Sequence, residues 1–137
     1  MADISVTASA VVASVTALVE HGGKAGATIT AGQVVYKDAS DGKLKLADND
    51  SATAAVRTVY GIALHAALDG QPLSVIKRGP LTLNAALTAG TTYVLSSTAG
   101  GIAPQADAAT GDEVVILGVA LSTTSLDVNL KNTGVTL

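Results

Sequence analysis

The sequence predicts an all-β protein, a compact β-barrel or β-sandwich built from two similar halves, with an extended N-terminal arm. Apolar and polar residues alternate along several short runs, among them Lys43–Leu46 and Leu126–Lys131. Such alternation places the apolar side chains on one face of a strand. Turn-forming residues separate the runs at short intervals. Asp41-Gly42 predicts a hairpin whose arms are Val34–Lys37 and Lys43–Leu46, because glycine reaches positive φ at little cost.

An internal repeat divides the predicted β domain, residues 25–137, into halves of about 25–80 and 81–137. Thr30-Ala31-Gly32 recurs 58 residues later, and Gly61-Ile62-Ala63-Leu64 recurs 57 residues later as Gly118-Val119-Ala120-Leu121. We also align Leu73–Val75 with Leu126–Val128. Two halves with one pattern indicate two similar β motifs packed together. The residues expected to form structural turns are Gly32, Asp41, Gly42, Gly61, Gly90 and Gly118.

The N-terminal segment, residues 1–24, is predicted to be an arm or an edge strand. Its apolar residues also fit the spacing of a short helix, but β-branched residues crowd it and favour an extended chain. An exposed edge strand is a ready site for pairing with another chain. We therefore expect Asp3–Val19 to mediate docking on a partner or swapping between subunits, so that deleting residues 2–20 abolishes binding and leaves a folded body. The residues expected to contact the partner are Ile4, Val6, Val11, Val12 and Val15.

Composition argues against two kinds of partner. The eight Lys and Arg residues are scattered and the net charge is −3, whereas a nucleic-acid binder needs clustered cations to displace counterions from phosphate. The longest weakly polar stretch, Ala8–Val19, is shorter than the ~20 residues that a membrane-spanning helix needs. The N-terminus lacks the basic region of a signal peptide. We expect no nucleic-acid or membrane partner, and synthesis in the cytoplasm of the producing cell.

The residues that could carry chemistry are few. The chain has no cysteine and two histidines, His21 and His65, which we interpret as surface side chains. The acidic residues are densest at Asp38, Asp41, Asp48 and Asp50. Their spacing does not follow that of a calcium-binding EF-hand loop. The sequence therefore predicts a protein that is not an enzyme, with no catalytic residues, no cofactor and no metal site.

Several Gly- and Ala-rich β-turn motifs carry a family resemblance. They are Ala25–Tyr36, Asp41–Asp48, Gly61–Leu64, Gly70-Gln71-Pro72, Leu87–Gly90, Gly100–Pro104 and Leu117–Ala120. From about residue 25 to the C-terminus, the chain resembles small virion structural proteins of tailed bacteriophages, of the kind that act as capsid decoration or cement proteins. The resemblance implies a β-rich body on the capsid exterior that bridges subunits of the major capsid protein. It also implies self-association, as a trimer or alternatively a dimer.

Two other functions compete with capsid decoration. A head- or tail-fibre module would bind a host receptor or glycan, but sugar binding usually uses exposed aromatic rings. The three tyrosines, Tyr36, Tyr60 and Tyr93, are few and are expected in the core. A hydrolytic enzyme is the third hypothesis, and it requires a polar pocket that the sequence does not indicate.

Overall fold

The computed structural model describes residues 3–137, and it confirms the predicted all-β class. The strands are β1 (Val12–Ala13), β2 (Leu18–Lys24), β3 (Val34–Lys37), β4 (Leu44–Leu46), β5 (Gly61–Ala63), β6 (Pro72–Thr82), β7 (Thr92–Leu95), β8 (Ile102–Pro104), β9 (Glu113–Ala120) and β10 (Ser125–Thr136). Short 3-10 turns span Ala8–Ala10, Ala54–Arg57 and Gln105–Asp107. The hairpin predicted around Asp41-Gly42 is confirmed as β3 and β4.

The strands form one curled antiparallel sheet with the shape of a half-barrel, whose order is β4-β3-β5-β6-β10-β9-β7-β8. This order has the same pattern from either end. A hairpin (β3 with β4, or β7 with β8) is followed by a strand that pairs with it (β5 or β9), which we call the return strand, and then by a long strand (β6 or β10). In the first half Val34 pairs with Ile62, and in the second half Thr92 pairs with Val119. These partners lie 58 and 57 residues after their counterparts, the same offsets that separate the sequence motifs. The two halves therefore share one strand pairing.

The alignment of the long strands differs from the one expected. Ala63 pairs with Val75 in the first half, and its counterpart Ala120 pairs with Leu126 in the second. Val75, not Leu73, is thus the counterpart of Leu126, and the sequence alignment of these strands is wrong by two residues. A shift of two leaves each side chain on the same face of its strand, so the alternating pattern alone did not reveal the error.

Contacts between the first half and the turn after β7 close the curled sheet. The Gly100 amide donates to the Ala47 carbonyl at 2.7 Å, and the Val34 amide donates to the Gly100 carbonyl at 3.0 Å. The buried Asn49 side chain donates through Nδ2 to the Leu95 carbonyl at 2.8 Å. These bonds satisfy backbone groups that would otherwise be left at the ends of the sheet.

The buried side chains form two cores, one on each face of the first half. The main core lies between the halves and includes Val34, Ile62, Ile76, Leu81, Tyr93, Leu117 and Leu126. The second core includes Ile29, Val35, Leu44, Ala63, Leu73 and Val75. The neighbours Val34 and Val35 thus enter different cores, so β3 is buried on both faces, which is why this strand is apolar at consecutive positions.

The residues expected to form turns fall into two groups. Gly32, Gly42 and Gly90 have φ values of +87°, +71° and +82°, and Asp41 lies beside Gly42 in the β3–β4 turn. The expectation is corrected for Gly61 and Gly118, which lie in strands β5 and β9 and not in turns.

Gly61 in β5 and Gly118 in β9 occupy equivalent places in the two halves, and both are required by close packing. A Cβ at Gly61 would lie 2.8 Å from Val75 Cγ2, and a Cβ at Gly118 would overlap the Asp127 carbonyl oxygen. Glycine therefore allows each return strand to approach the long strand beside it.

An ion-pair network stabilises the β3–β4 turn. Lys45 Nζ lies 2.7 Å from Asp38 Oδ2 and 3.2 Å from Asp41 Oδ2. Asp38 Oδ1 also accepts hydrogen bonds from the Ser40 amide at 2.9 Å and the Ser40 hydroxyl at 2.7 Å. The hydrogen bond from Lys45 and those from Ser40 hold the pKa of Asp38 well below its usual range, and the two carboxylates raise the pKa of Lys45.

We expect Asp38→Asn to lower the urea midpoint at neutral pH and to have little effect in acid. Because the pKa of folded Asp38 is depressed, its contribution to stability is complete above the unfolded carboxyl pKa of about 4 and is lost as the pH falls through the folded value. Urea unfolding of both proteins at neutral and acid pH measures this difference. Asp69→Asn is the control, since Asp69 forms a more exposed pair with Lys43. An equal difference in urea midpoint between wild type and Asp38→Asn at both pH values would contradict the prediction.

Candidate interaction surface

The first residues of the predicted arm pack against the body of the protein. The Ile4 amide donates to the Ile102 carbonyl at 2.9 Å, beside β8. Val6 covers Gly32, where an added Cβ would lie 2.5 Å from Val6 Cγ1. Val11 belongs to the main core and is 9% exposed, and Ile4 and Val6 pack against that core half-buried. Three of the five residues expected to contact a partner are therefore engaged within this chain.

This packing changes how the segment can be tested. Deleting residues 2–20 would remove Val11 from the main core and uncover the apolar surface that Ile4 and Val6 cover. We therefore expect the deletion to destabilise the body as well as to remove the segment, because large losses of buried apolar surface destabilise a small domain. Residues 1 and 2 of the predicted arm lie outside the described residues. Point substitutions at exposed positions are the appropriate test.

The rest of the segment forms an edge of the sheet. Ile76 of β6 pairs with Ile62 on one side and Val19 of β2 on the other. Leu81 likewise pairs with Leu126 and, on its other side, with Ala13 of β1. Strands β1 and β2 thus flank β6 opposite β5 and β10. Within residues 3–137, β1 and β2 pair with no strand other than β6.

This edge carries three exposed apolar side chains, and we call residues 12–24 the β1–β2 strip. Val12 is 60% exposed, Val15 is 103% exposed and Leu18 is 55% exposed. Single exposed apolar residues are ordinary on protein surfaces, but three of them within residues 12–18 of one sheet edge favour an interaction site. Val12 and Val15 are the two residues expected to contact a partner that the fold leaves accessible.

A cluster around Tyr60 joins the strip to the body. The Tyr60 hydroxyl donates to Glu20 of β2, and Lys77 Nζ donates to the Tyr60 carbonyl. Lys77 Nζ lies 3.5 Å from the ring centroid and Lys37 Nζ lies 5.4 Å from it. The hydrogen bond to the Glu20 carboxylate, together with burial, raises the pKa of Tyr60 to about 12. Burial lowers the pKa of Lys77. A lysine thus covers the ring, which leaves little open aromatic surface for a sugar.

Both histidines lie beside Ser74, an arrangement that sequence reasoning did not predict. His21 Nδ1 is 2.8 Å from Ser74 Oγ, and His65 Nε2 accepts a bond from the Ser74 amide at 3.0 Å. His65 Nδ1 then donates to the Ala66 carbonyl at 3.0 Å. These bonds attach β2 and the loop after β5 to β6. The sequence separations of 53 and 9 residues give no local signal that could have predicted the cluster.

The acidic residues noted in the sequence separate into two places. Asp38 and Asp41 form ion pairs with Lys45. In a separate loop, Asp48 Oδ1 accepts a hydrogen bond from the Asp50 amide at 3.1 Å. Across residues 3–137, no group of three or more His, Cys, Asp or Glu side chains is arranged to hold a metal ion. In the same part of the chain, no helix has the length and apolar character to cross a membrane.

A second accessible surface is a groove on the outer face of the second half. Strand pairing forms one row of Thr92, Val119 and Asp127 and places Ile116 beside Lys131. Gly118 and Asn129 lie between, and the groove has a volume of about 260 Å³. We call this feature the β9–β10 groove. The 58-residue offset gave one sequence signal, since the counterpart of Thr92 in the first half is the apolar Val34. The counterpart of Asp127, Ile76, is identified only by the strand pairing.

Comparison with known proteins adds no identification: no protein-family model and no curated protein matches the sequence. The geometry of these surfaces and the motifs that carry the family resemblance are therefore the features that bear on function.

Proposed function

We propose that this protein is a bacteriophage capsid decoration, or cement, protein that binds the outer capsid surface and stabilises contacts between major capsid protein subunits. The observation that carries the proposal is the β1–β2 strip, an edge bearing exposed Val12, Val15 and Leu18. The family resemblance in residues 25–137 indicates the partner, the major capsid protein. The protein would be made in the host cytoplasm and would reside on the virion exterior.

The strip offers two kinds of contact to a coat protein. The outer edge of β2 presents backbone groups that can extend a neighbouring sheet. The exposed valines and leucine can be buried in the contact, and complete burial of such a side chain contributes about 1.5–3 kcal/mol. Glu20 and Tyr60 hold β2 to the body, so little ordering is needed on binding.

Such binding stabilises a capsid by mass action. A protein that binds only the assembled lattice adds its binding free energy to that state. Contacts that bridge two coat subunits oppose the separation that pressure from packaged DNA favours. Because a capsid repeats the site many times, an interface of modest size gives a large total stabilisation.

The alternative, a head- or tail-fibre module that binds a host receptor or glycan, has weaker support. Tyr93 is buried, Tyr36 packs half-buried against the main core, and Tyr60 lies under Lys77. The aromatic platforms that sugar binding usually requires are therefore not offered by the tyrosines.

The test is co-sedimentation with expanded capsids that lack this protein. We expect wild type to saturate the capsids and to raise their heat resistance. The triple variant Val12→Ser, Val15→Ser, Leu18→Ser should bind at least about tenfold more weakly, because it removes apolar burial while altering only exposed positions. The matched control is Leu68→Ser with Val135→Ser, two residues that are also exposed but lie outside the strip.

Two results would overturn the proposal. Failure of wild type to bind capsids would reject the decoration function, and a glycan array would then test the fibre alternative. Equal binding by the triple variant and wild type would reject the β1–β2 strip as the docking surface.

A further inference from the structure

The Tyr60 cluster, which consists of Tyr60, Glu20, Lys37 and Lys77, holds two ammonium groups and one carboxylate. Lys77 Nζ lies 3.5 Å and Lys37 Nζ lies 5.4 Å from the centroid of the Tyr60 ring. The carboxylate of Glu20 accepts the hydrogen bond of the Tyr60 hydroxyl. Burial lowers the pKa of Lys77, Glu20 opposes that shift, and the charge of Lys37 adds to it. The two ammonium groups thus repel each other, and a second carboxylate beside Lys37 would relieve the repulsion.

Lys37 lacks a carboxylate partner within the described residues. Two other lysines of the same hairpin region, Lys43 and Lys45, each pair with an aspartate of this chain. Lys37 is exposed, and across residues 3–137 it forms no ion pair. Its contact with the Tyr60 ring lies near the ~6 Å limit of a cation–π interaction. The charge of Lys37 is therefore available to a group from outside the chain.

The internal repeat shows that the cluster is confined to the first half. By strand pairing, the counterparts of Lys37, Tyr60 and Lys77 in the second half are Leu95, Leu117 and Val128. All three counterparts are fully buried in the main core. The repeated strand arrangement therefore forms without a tyrosine ring between two ammonium groups, and the first half presents that arrangement at its surface.

A groove beside the ring has the size of one acidic side chain. It is lined by Lys37, Ala55, Thr58, Val59 and Tyr60, and its volume is about 200 Å³. At ~30 Å³ for each water molecule, this space equals about seven waters, which is enough for an aspartate or glutamate side chain. The alanine, valine and tyrosine offer contacts to methylene groups, and Lys37 supplies the opposite charge. Nucleic acid is a poorer match, because it requires many clustered cations.

We infer that the Tyr60 cluster binds an aspartate or glutamate side chain of the coat protein, whose carboxylate pairs with Lys37. The cluster borders the β1–β2 strip, since Glu20 belongs to β2 and follows the exposed Leu18 by two residues. The inference rests on the proposed capsid binding and adds the chemistry of one contact to it. The apolar side chains of the strip contribute burial, and Lys37 selects a surface that carries an acidic group in the matching place.

Co-sedimentation of charge variants with expanded capsids that lack this protein tests the contact. Lys37→Glu should bind about tenfold more weakly than wild type or worse, because it replaces an attractive charge pair with a repulsive one. Lys37→Arg should bind like wild type, since arginine keeps the positive charge. Added salt should weaken wild type more than it weakens Lys37→Glu, because salt screens the attraction. The matched control is Lys131→Glu, a reversal at another exposed lysine without an ion pair in the described chain, which should bind like wild type.

Carbodiimide cross-linking of the saturated capsids identifies the partner group directly. The reagent joins a lysine to a contacting carboxylate through an amide bond and takes up the water released, becoming a urea. Mass spectrometry of the digested complex should find Lys37 joined to an aspartate or glutamate of the coat protein. A cross-link from Lys131 without one from Lys37 would contradict the inference.

The outcomes separate this contact from the proposed function. Capsid binding by wild type together with equal binding by Lys37→Glu would overturn the carboxylate contact and leave the decoration function standing. Equal weakening by Lys37→Glu and Lys131→Glu would attribute the effect to net charge and would also overturn the contact. Failure of wild type to bind capsids would reject both proposals. Circular dichroism of each variant verifies that these exposed substitutions preserve the fold.

Discussion

Replacement of Gly118 by alanine is expected to destabilise the protein by about 3 kcal/mol. The new Cβ would overlap the Asp127 carbonyl oxygen and would lie 2.9 Å from the Asp127 carbonyl carbon and 3.1 Å from Val128 Cα. All of these are backbone atoms, so no side-chain rotation can relieve the overlap, and β9 must move away from β10. A loss of this size is a large fraction of the 5–15 kcal/mol that typically stabilises a domain.

The matched control is Gly111→Ala. Gly111 also has positive φ, +97°, but an added Cβ would meet nothing within 4 Å. This control isolates the conformational cost of a left-handed residue, about 1–2 kcal/mol. Chemical denaturation of both variants gives the comparison. Equal losses for Gly118→Ala and Gly111→Ala would show that the approach of β9 to β10 does not require glycine.

Substitution of Asn49 by aspartate should destabilise the folded state by about 3–5 kcal/mol at neutral pH. Asn49 is buried at the closure of the sheet, and its Nδ2 donates to the Leu95 carbonyl at 2.8 Å. Its backbone also bonds to Ser96 and Glu113, so the side chain cannot withdraw easily. A carboxylate there would lose the donor and would bury a charge facing a carbonyl oxygen.

The pH dependence distinguishes this effect from simple loss of a hydrogen bond. Burial would raise the pKa of an aspartate at position 49 above its unfolded value. Its deficit relative to wild type should therefore shrink as the pH falls, since the protonated carboxyl can donate to Leu95. Asn49→Ala should cost about 1–3 kcal/mol with no such recovery. Urea unfolding across acid and neutral pH measures both, and a deficit for Asn49→Asp that is constant with pH would contradict the argument.

Much of the fold could be predicted because strands leave a local pattern. Period-two alternation and the Asp41-Gly42 turn predicted the β3–β4 hairpin, and the motif offsets agree with the strand pairing of the two halves. The turns expected at Gly61 and Gly118 were wrong, since glycine at a turn and glycine at a close approach of two backbones look alike in sequence. Only the neighbouring strand distinguishes them.

The candidate surfaces were harder to predict from the sequence than the fold was. Apolar, β-branched character singled out Ile4, Val6, Val11, Val12 and Val15 together, because composition does not report which side of an extended chain faces the core. The fold then buried Val11 and left Val12 and Val15 exposed. The β9–β10 groove was missed because recognising it requires knowing that the first half is covered on both faces.

By itself, the sequence determined the all-β class, the hairpin and the repeat, since these depend on residues close in the chain or on motifs at a constant offset. Only the tertiary structure decided which residues of β6 and β10 are equivalent in the two halves. It also decided that His21 and His65 meet at Ser74, and which face of each half is open. These features depend on contacts between residues far apart in sequence. A strand's alternation specifies two faces but does not specify what packs against either of them.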